Sequence, residues 1–165
     1  MEIVHFSNVG DFRHKAERLF EEQKRRIEER LPNADIQHVG STAVPGSLTK
    51  GDVDIQVRVL PEVFSIAIQV LSSLYSPNEG SVSTDSFRAF KDDTLDPPLG
   101  VQLSVIGSEY DFFWKLRNVL LANETYRQEY DELKKRFHGK DMDEYRTEKN
   151  KFFKRLMTTP EYLQL

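Results

Sequence analysis

The chain contains no cysteine among its 165 residues. Disulfide bonds and thiolate metal centres are therefore excluded. No apolar run approaches the ~20 residues that a membrane-spanning helix needs. Residues 1–12 also lack the central apolar stretch of a signal peptide. We therefore expect a cytoplasmic protein that does not enter a membrane.

Excess positive charge is also absent. Asp and Glu number 27 against 23 Lys and Arg, which gives a formal net charge of −4, and no basic block stands apart. Binding to duplex nucleic acid without sequence preference requires clustered Lys and Arg, so the composition argues against that partner. A small anionic ligand that is bound with a metal ion remains compatible with this charge.

Several common catalytic signatures are missing. The segment from Gly40 to Ser47 resembles a P-loop only superficially, because five residues separate Gly40 from Gly46 and Ser47 stands where lysine is required. The chain has no G-x-G-x-x-G motif, and its four histidines lack the spacing of zinc ligands. No serine lies in a nucleophile elbow.

Hydrophobic periodicity predicts an α+β fold that is also α/β-like, with a mixed β-sheet, packed helices and a helical C-terminal third. We interpret residues 1–165 as one domain, with a sheet-containing core over 1–107 and C-terminal helices over 108–165. The predicted helices are 12–31, 63–74, 108–122, 126–137 and 141–157. The predicted strands are 34–39, 52–60, 81–91 and 100–106.

The most informative segment places two aspartates shortly after a Gly-Ser turn. If Asp52 and Asp54 lie on one strand, they share a face with backbones ~6.6 Å apart. Two such carboxylates repel unless a cation lies between them, and Mg²⁺ or Mn²⁺ suits oxygen ligands and phosphate. This predicts metal-dependent nucleotidyl transfer with Asp52 and Asp54 as catalytic metal ligands. The alternative is a solvated Asp-x-Asp pair.

The turn itself provides groups that can contact phosphate. Gly40 allows the backbone to approach a ligand closely, and Ser41 and Thr42 offer hydroxyl donors. A Gly-Ser pair is also common as a simple turn, so the combination with the aspartates carries the prediction. His38 precedes the turn, and we expect its ring to form a hydrogen bond with the loop instead of contacting a ligand.

The chain resembles the GrpB family over nearly its whole length. The strongest similarity is His38-Val-Gly-Ser-Thr-Ala-Val-Pro-Gly-Ser-Leu followed by Lys50-Gly-Asp-Val-Asp-Ile. Further similarity is found at 87–88, 113–121, 130–134 and 145–152. The resemblance implies a nucleotidyltransferase-like sheet with the turn and the Asp-x-Asp strand at one site. The related domain also occurs fused to dephospho-coenzyme A kinases, and the family's substrate is undefined.

One departure from this pattern concerns the third strand of the site. Active nucleotidyltransferases usually supply a third carboxylate there, and GrpB relatives usually carry histidines. This chain has Gln102 and Ser104, which are weaker metal ligands than either. We keep both as candidate site positions, with high metal affinity and catalysis in question. Asp85 on the other strand is a less favoured substitute.

Four basic residues are candidates to gather around the phosphates of a ligand: Lys50, Arg88, Arg117 and Lys149. Arg117 and Lys149 interrupt apolar helical stripes, and the alternative is that they pair with internal carboxylates or lay their stems along the core. The pairs of opposite charge at i,i+4 spacing in the C-terminal region are interpreted as a solvated face. They are Asp131 with Lys135 and Glu132 with Arg136. The apolar residues within 152–157 are interpreted as core or as the seam of a homodimer.

Two functional hypotheses follow. In the first, a nucleoside triphosphate binds through Mg²⁺ or Mn²⁺, an acceptor attacks its α-phosphorus in line, and pyrophosphate leaves. In the second, the same fold is a binding module without catalysis, for a nucleotide, a coenzyme A-related compound or another phosphorylated small molecule.

Overall fold

The computed structural model describes residues 1–165 apart from the side chain of Asp11. Every predicted helix and strand is present, with ends that differ from the expected ones. The helices are α1 Arg13–Glu28, α2 Phe64–Leu74, α3 Phe113–Ala122, α4 Glu124–Phe137, α5 Met142–Leu156 and α6 Pro160–Leu163. The strands are β1 Ser7–Asn8, β2 Asp35–Val39, β3 Leu48–Thr49, β4 Val53–Val59, β5 Ser76–Pro77, β6 Phe87–Asp92 and β7 Leu99–Val105.

Five strands form one mixed sheet in the order β2-β4-β7-β6-β5. β4 and β7 are parallel, whereas the other neighbours are antiparallel, and β1 pairs with β3 in a separate small sheet. The register places Asp54 opposite Val39 on one side and Gly100 on the other. The predicted mixed sheet with packed helices is confirmed, and its adjacent parallel strands β4 and β7 carry Asp54 and Gln102 of the candidate site.

One face of the sheet is apolar and packs against α1 and α2. Alternate residues of β4 supply it, namely Val53, Ile55, Val57 and Val59, all of which are buried. The buried residues of α1 recur at steps of three and four, so the helix presents one continuous stripe to this face. The sheet and these two helices therefore form the first hydrophobic core.

The other face of β4 is polar and lies against the C-terminal region. Arg58 binds Asp111 through both carboxylate oxygens, with Nε–Oδ1 at 2.7 Å and Nη2–Oδ2 at 2.8 Å, and it also contacts Asp35 at 2.5 Å. Gln56 donates to Asp111 at 3.0 Å and accepts from the backbone N–H of Trp114 at 3.1 Å. This buried network fixes the start of α3 against the sheet.

The C-terminal helices form a second hydrophobic core of their own. It is completed by Val4, whose N–H donates to the carbonyl of Lys140 at 2.9 Å and whose carbonyl accepts from Gly139 at 2.8 Å. These bonds attach the N-terminal segment to the turn between α4 and α5. Residues 152–157 belong to this core, with Phe152 and Leu156 buried in it.

Two predicted elements begin later than expected. The strand predicted from residue 81 starts at Phe87, and the helix predicted from residue 108 starts at Phe113. The second difference has a clear cause, because the Asp111 carboxylate accepts from Gly107 N at 2.9 Å and pairs with Arg58, which holds 107–111 as a turn. Among the described residues, no helix combines the length and apolar character needed to cross a bilayer.

Candidate functional site

A cavity of about 420 Å³ lies between the polar face of the sheet and the C-terminal helices. Its size falls in the range of small-molecule sites. The turn residues Gly40 and Ser41 line it together with Gln102 of β7. The charged side chains that line it are Lys50, Asp52, Asp54, Arg117, Lys134 and Lys149. The cavity thus brings the turn and both aspartates together, as the sequence predicted.

Asp54 lies at the centre of this arrangement, between two glycines. A Cβ on Gly40 would lie 2.5 Å from its Oδ2, and a Cβ on Gly100 would lie 2.8 Å from its Oδ1. Gly40 also has a φ of 76°, which side-chain-bearing residues rarely adopt. The carboxylate therefore fits only because both neighbouring positions lack a side chain. Sequence reasoning singled out Gly40 but missed Gly100, since its role depends on the β4–β7 register.

The carboxyl of Asp54 is electrostatically disfavoured as an anion. Burial, reinforced by the nearby charge of Asp52, raises its pKa from 3.8 to about 6. Lys149, Lys50 and a hydrogen bond from Gln102 act in the opposite direction without cancelling this effect. A cation or a proton would relieve the repulsion between the two carboxylates.

The prediction that Asp52 and Asp54 share a strand is wrong, because β4 begins at Val53. Its partner β7 begins at Leu99 after two prolines, which offer no N–H to extend the ladder towards Asp52. Asp52 instead lies in the preceding loop with its side chain 46% exposed and 3.8 Å from Lys50 Nζ. It still lines the same cavity as Asp54.

The two candidate positions on β7 are placed differently relative to the cavity. Gln102 lines the cavity, and its buried Oε1 has no hydrogen-bond partner among the described residues. Ser104 is fully buried, donates to the carbonyl of Tyr110 at 3.2 Å and does not line the cavity. The segment around Tyr110 covers it because Asp111 holds that segment against the sheet. The third strand therefore contributes one neutral amide oxygen to the site.

The oxygen groups of the site are of the type that a hard divalent cation accepts, but they are few. The two carboxylates and the unpartnered Gln102 Oε1 are all oxygen ligands of the kind that Mg²⁺ and Mn²⁺ accept. The described residues contain no group of three or more His, Cys, Asp or Glu side chains placed to hold a metal. A cation here would need further oxygen ligands from water or from a bound ligand.

His38 and Thr42 support the turn from behind. His38 Nε2 lies 2.9 Å from Thr42 Oγ1, and the imidazole stacks on Phe20 with ring centroids 5.0 Å apart. Burial and the nearby Arg117 lower the pKa of His38 to about 4, so the ring is neutral at pH 7. Thr42 is buried and does not line the cavity, so the structure does not place it to contact phosphate, contrary to the prediction. Ser41 does line it, and its hydroxyl donates to Thr49 Oγ1 at 2.8 Å.

The two arginines predicted at the site are placed differently. Arg117 lines the cavity, but its Nη1 donates to Gln37 Oε1 at 2.7 Å and to the His38 carbonyl at 3.0 Å, which ties α3 to β2. Arg88 is not brought to the cavity. Its guanidinium donates to backbone carbonyls of its own region and lies 5.6 Å from the Phe64 ring centroid. Strand alternation puts it on the side of α2, opposite to the site.

Lys134 is a cavity residue that sequence reasoning missed. Its ammonium donates to Ser47 Oγ at 2.9 Å, to the Leu48 carbonyl at 2.6 Å and to Asp131 Oδ1 at 3.5 Å. It also lies 3.7 Å from the Tyr130 ring centroid. Burial, partly offset by Asp131, lowers its pKa to about 8. Lys134 lies four residues after Tyr130 on the apolar stripe of α4, and this position could have indicated that it is buried.

The interpretation of the α4 charges as solvated i,i+4 pairs is therefore wrong for Asp131. Its Oδ1 accepts from Leu48 N at 3.2 Å and from Ser47 Oγ at 3.4 Å, so it faces the loop before β3. Lys135 pairs with Glu132 instead, at 3.2 Å on the exposed side. The i,i+4 spacing on the helix allowed Asp131 to pair with Lys135, but contacts with the loop before β3 turn Asp131 away from solvent.

Lys149 and Lys50 are the cavity lysines whose ammonium groups form no hydrogen bond among the described residues. Lys50 lies 3.8 Å from Asp52, at the limit of an ion pair. Neither an ion pair nor a hydrogen bond fixes the Lys149 ammonium among the described side chains, and burial followed by the charge of Lys50 lowers its pKa. Four cationic side chains therefore face two carboxylates in one cavity, which favours an anionic occupant.

Ser47, Thr49 and Asn150 add polar groups to the cavity surface, and most of its remaining residues are apolar; we call these apolar residues the apolar wall. The rings of Tyr130 and Tyr145 contribute to it, and their hydroxyls lie 3.3 Å apart and bond to each other. Its residues are Phe6, Val44, Phe112, Phe113, Leu116, Leu120, Tyr130, Tyr145 and Phe153. Charged and aromatic residues lie side by side in the cavity, since Lys134 Nζ is 3.7 Å from the Tyr130 ring centroid and Lys149 Nζ is 5.7 Å from that of Tyr145.

Comparison with known proteins gives consistent relatives. The family model described as GrpB protein matches residues 8–159. A UPF0157 protein of Vibrio cholerae is 28% identical over 154 residues, which cover 93% of this chain and 82% of that protein. The crystal structure of the conserved protein GrpB from Enterococcus faecalis superposes with a TM-score of 0.70 at 21% identity, over 91% of this chain and 95% of that one.

A more distant similarity is found to the Cid1 poly(U) polymerase, solved with MgGTP bound. It covers 72% of this chain and 43% of that chain at 14% identity, with a TM-score of 0.44.

Proposed function

This chain belongs to the GrpB family, and we propose that it binds a nucleoside triphosphate or a related phosphorylated ligand together with Mg²⁺ or Mn²⁺. The observation that carries this proposal is the composition of one cavity. Two carboxylates and an unpartnered amide oxygen lie there with four cationic side chains and the Gly40-Ser41 turn. A phosphate–metal pair complements both signs of charge at once.

The two aspartates of the cavity would hold the cation. Asp52, Asp54 and Gln102 are the protein ligands, and the metal would neutralise the repulsion that raises the pKa of Asp54. The cation supplies charge neutralisation for the ligand's phosphate oxygens when it is bound. Because the protein offers few ligands, we expect metal and phosphorylated ligand to bind cooperatively.

The basic residues divide into two roles. Lys149 forms no ion pair or hydrogen bond among the described residues, and Lys50 has only the 3.8 Å ion pair with Asp52, so these two are the candidates for direct contact with phosphate. Lys134 and Arg117 already bond to the loop before β3 and to β2, so they position the walls of the cavity while adding positive potential. Arg88 has no part in the proposal.

A second candidate function is nucleotidyl transfer. The Asp52 and Asp54 pair beside a glycine-serine turn favours it, because that arrangement can bind the phosphates and their metal together. An acceptor oxygen would attack the α-phosphorus in line, its bond to phosphorus forming while the bond to pyrophosphate breaks. Binding comes first in our proposal because the third strand supplies an amide and not a carboxylate.

Thermal unfolding with nucleoside triphosphates, with and without Mg²⁺ or Mn²⁺, tests the binding. A ligand at 100 times its Kd stabilises the folded state by about 2.7 kcal/mol, so the melting temperature should rise by several degrees. The rise should require metal and should be lost in Asp54→Asn and reduced in Lys149→Gln. Lys135→Gln, an exposed lysine outside the cavity, is the matched control.

Two outcomes would contradict the proposal. One is the absence of any shift with every nucleotide and with pyrophosphate, and the other is an equal shift in Asp54→Asn. Release of pyrophosphate in the presence of metal and candidate acceptors would then separate transfer from binding alone.

A further inference from the structure

Two charged residues of α4 bind the backbone of the short strand β3. Leu48, the first residue of β3, donates its N–H to Asp131 Oδ1 at 3.2 Å, and its carbonyl accepts from Lys134 Nζ at 2.6 Å. Both side chains also bond to Ser47 Oγ, Asp131 at 3.4 Å and Lys134 at 2.9 Å. Resting on the proposed function, we infer that Asp131 and Lys134 are positioning residues, which hold β3 and the segment after it in place for the ligand's phosphate and metal.

Strand β3 needs support of this kind because its own sheet is minimal. Its two residues pair with β1 alone, and Val9 N donates to the Ser47 carbonyl at 3.0 Å beside them. A ladder of two such short strands is marginal by itself. The N–H and carbonyl of Leu48 find their partners on α4, where Asp131 supplies the acceptor and Lys134 the donor. The pair therefore does what a third strand would do at that edge.

Strand β3 is connected directly to groups of the site. Thr49 Oγ1 accepts from Ser41 Oγ at 2.8 Å and from Gly51 N at 3.1 Å, so it joins the strand both to the turn and to the residues that follow. Lys50 and Asp52 belong to those following residues, and both line the cavity. A displacement of β3 would therefore move the turn, one candidate phosphate contact and one candidate metal ligand together.

The same helix is fixed to the opposite side of the cavity. α4 packs against α5, which carries Lys149, and both helices contribute to the second hydrophobic core. Asp131 and Lys134 thus set where Lys50 and Asp52 lie relative to Lys149. A ligand that contacts all of these groups binds more tightly when their arrangement already exists before binding, because less ordering is then required.

The sign of one effect distinguishes positioning from simple electrostatics. Asp131 does not line the cavity, but it lies 3.5 Å from Lys134, which does. Removal of a negative charge beside a site for an anionic ligand should by itself strengthen binding. A positioning role predicts the opposite, because Leu48 N loses its acceptor and β3 is released from α4.

Calorimetric titration with ATP and with tripolyphosphate, each in the presence of Mg²⁺, tests this inference. Asp131→Ala should weaken both by about tenfold, the effect expected when a hydrogen bond to a charged group is lost. Asp131→Asn removes the same charge but keeps an oxygen that can accept from Leu48 N, so its affinity should stay close to that of the wild-type protein.

Two control variants lie next to Asp131 on α4. Glu132→Ala removes a negative charge from an exposed position that pairs with Lys135. Leu133→Ala removes packing from the second hydrophobic core, so it lowers stability without touching β3. Neither variant should change the affinity for ATP or tripolyphosphate.

Amide hydrogen exchange without ligand provides a second measurement. Exchange across residues 48–52 should be faster in Asp131→Ala by about tenfold or more, because these amides then open locally. Exchange in the centre of β4 should not change, and Asp131→Asn should retain the wild-type rates across residues 48–52.

The outcomes separate this inference from the proposed function. The inference is overturned, while phosphate binding stands, if Asp131→Ala binds the two ligands as tightly as the wild-type protein or more tightly. An equal loss of affinity in Leu133→Ala, or unchanged exchange across residues 48–52 in Asp131→Ala, would overturn it as well. If the wild-type protein binds neither ATP nor tripolyphosphate, the proposed function and the inference both fall.

Discussion

Replacing Asp54 by asparagine should make the metal-free protein more stable at neutral pH. The carboxylate is enclosed between Gly40 and Gly100 and lies near Asp52, and its pKa is raised from 3.8 to about 6. Asparagine keeps the shape and removes the charge. A shift of about two units corresponds to about 3 kcal/mol at 1.36 kcal/mol per unit, which is an upper value for the gain.

The pH dependence follows from the direction of this shift. Because the folded pKa is higher than the unfolded one, the folded state binds the proton more tightly. The wild-type protein therefore loses stability as the pH rises from about 4 to about 6, and the loss is complete above that window. Asp54→Asn has no such group, so its advantage should be full at pH 7–8 and absent below about pH 4.

Urea unfolding of both proteins at several pH values, with chelator and then with excess Mg²⁺, measures the effect. We expect the metal to stabilise the wild-type protein and to leave the stability of Asp54→Asn unchanged. The difference in unfolding free energy between the two proteins should therefore decrease or change sign. The reasoning would be refuted if the variant were no more stable at pH 8 without metal, or if its advantage persisted undiminished at pH 4.

The remaining predictions concern other parts of the site. Asp111→Asn should cost about 2 kcal/mol, because Arg58 loses its charge-assisted bonds to Asp111 and keeps only Asp35 as an anionic partner. Burial opposes ionisation of Asp111, but the bonds from Arg58 and Gly107 outweigh it and lower the pKa of this carboxyl. The cost in urea unfolding should therefore shrink as the pH falls below about 4. Gly40→Ala and Gly46→Ala both place a side chain at φ near +75°, but only the alanine at position 40 also clashes with Asp54. Calorimetric unfolding should therefore show Gly40→Ala to be less stable than Gly46→Ala by about 1 kcal/mol or more. Equal losses of stability in the two variants would contradict the close packing at Asp54. Lys149→Met should raise the melting temperature, because burial lowers the pKa of this lysine, and should weaken metal–ATP binding in titration by about tenfold; a lower melting temperature would show that the ammonium has a stabilising partner.

Local pattern was sufficient for the framework of the fold. The apolar spacing in α1 predicted a helix, and alternation in β4 predicted a strand whose valines and Ile55 face the core, because these periods reflect backbone geometry that needs no knowledge of distant residues. The motif from His38 to Ile55 also indicated the GrpB family, which is confirmed. Proximity along the chain also placed the turn at Gly40, directly after β2, near Asp54 on β4.

Only the tertiary structure decided which polar residues share the cavity. Arg88, which was predicted to contact phosphate, is directed towards α2, whereas Lys134, which was not predicted, lines the cavity. Gly100 matters because the register of β7 places it against Asp54, and Ser104 is excluded because Asp111 folds the following turn over it. Periodicity reports which face of an element is apolar, but the partner of a polar face is set by long-range packing, and this determines which charges meet.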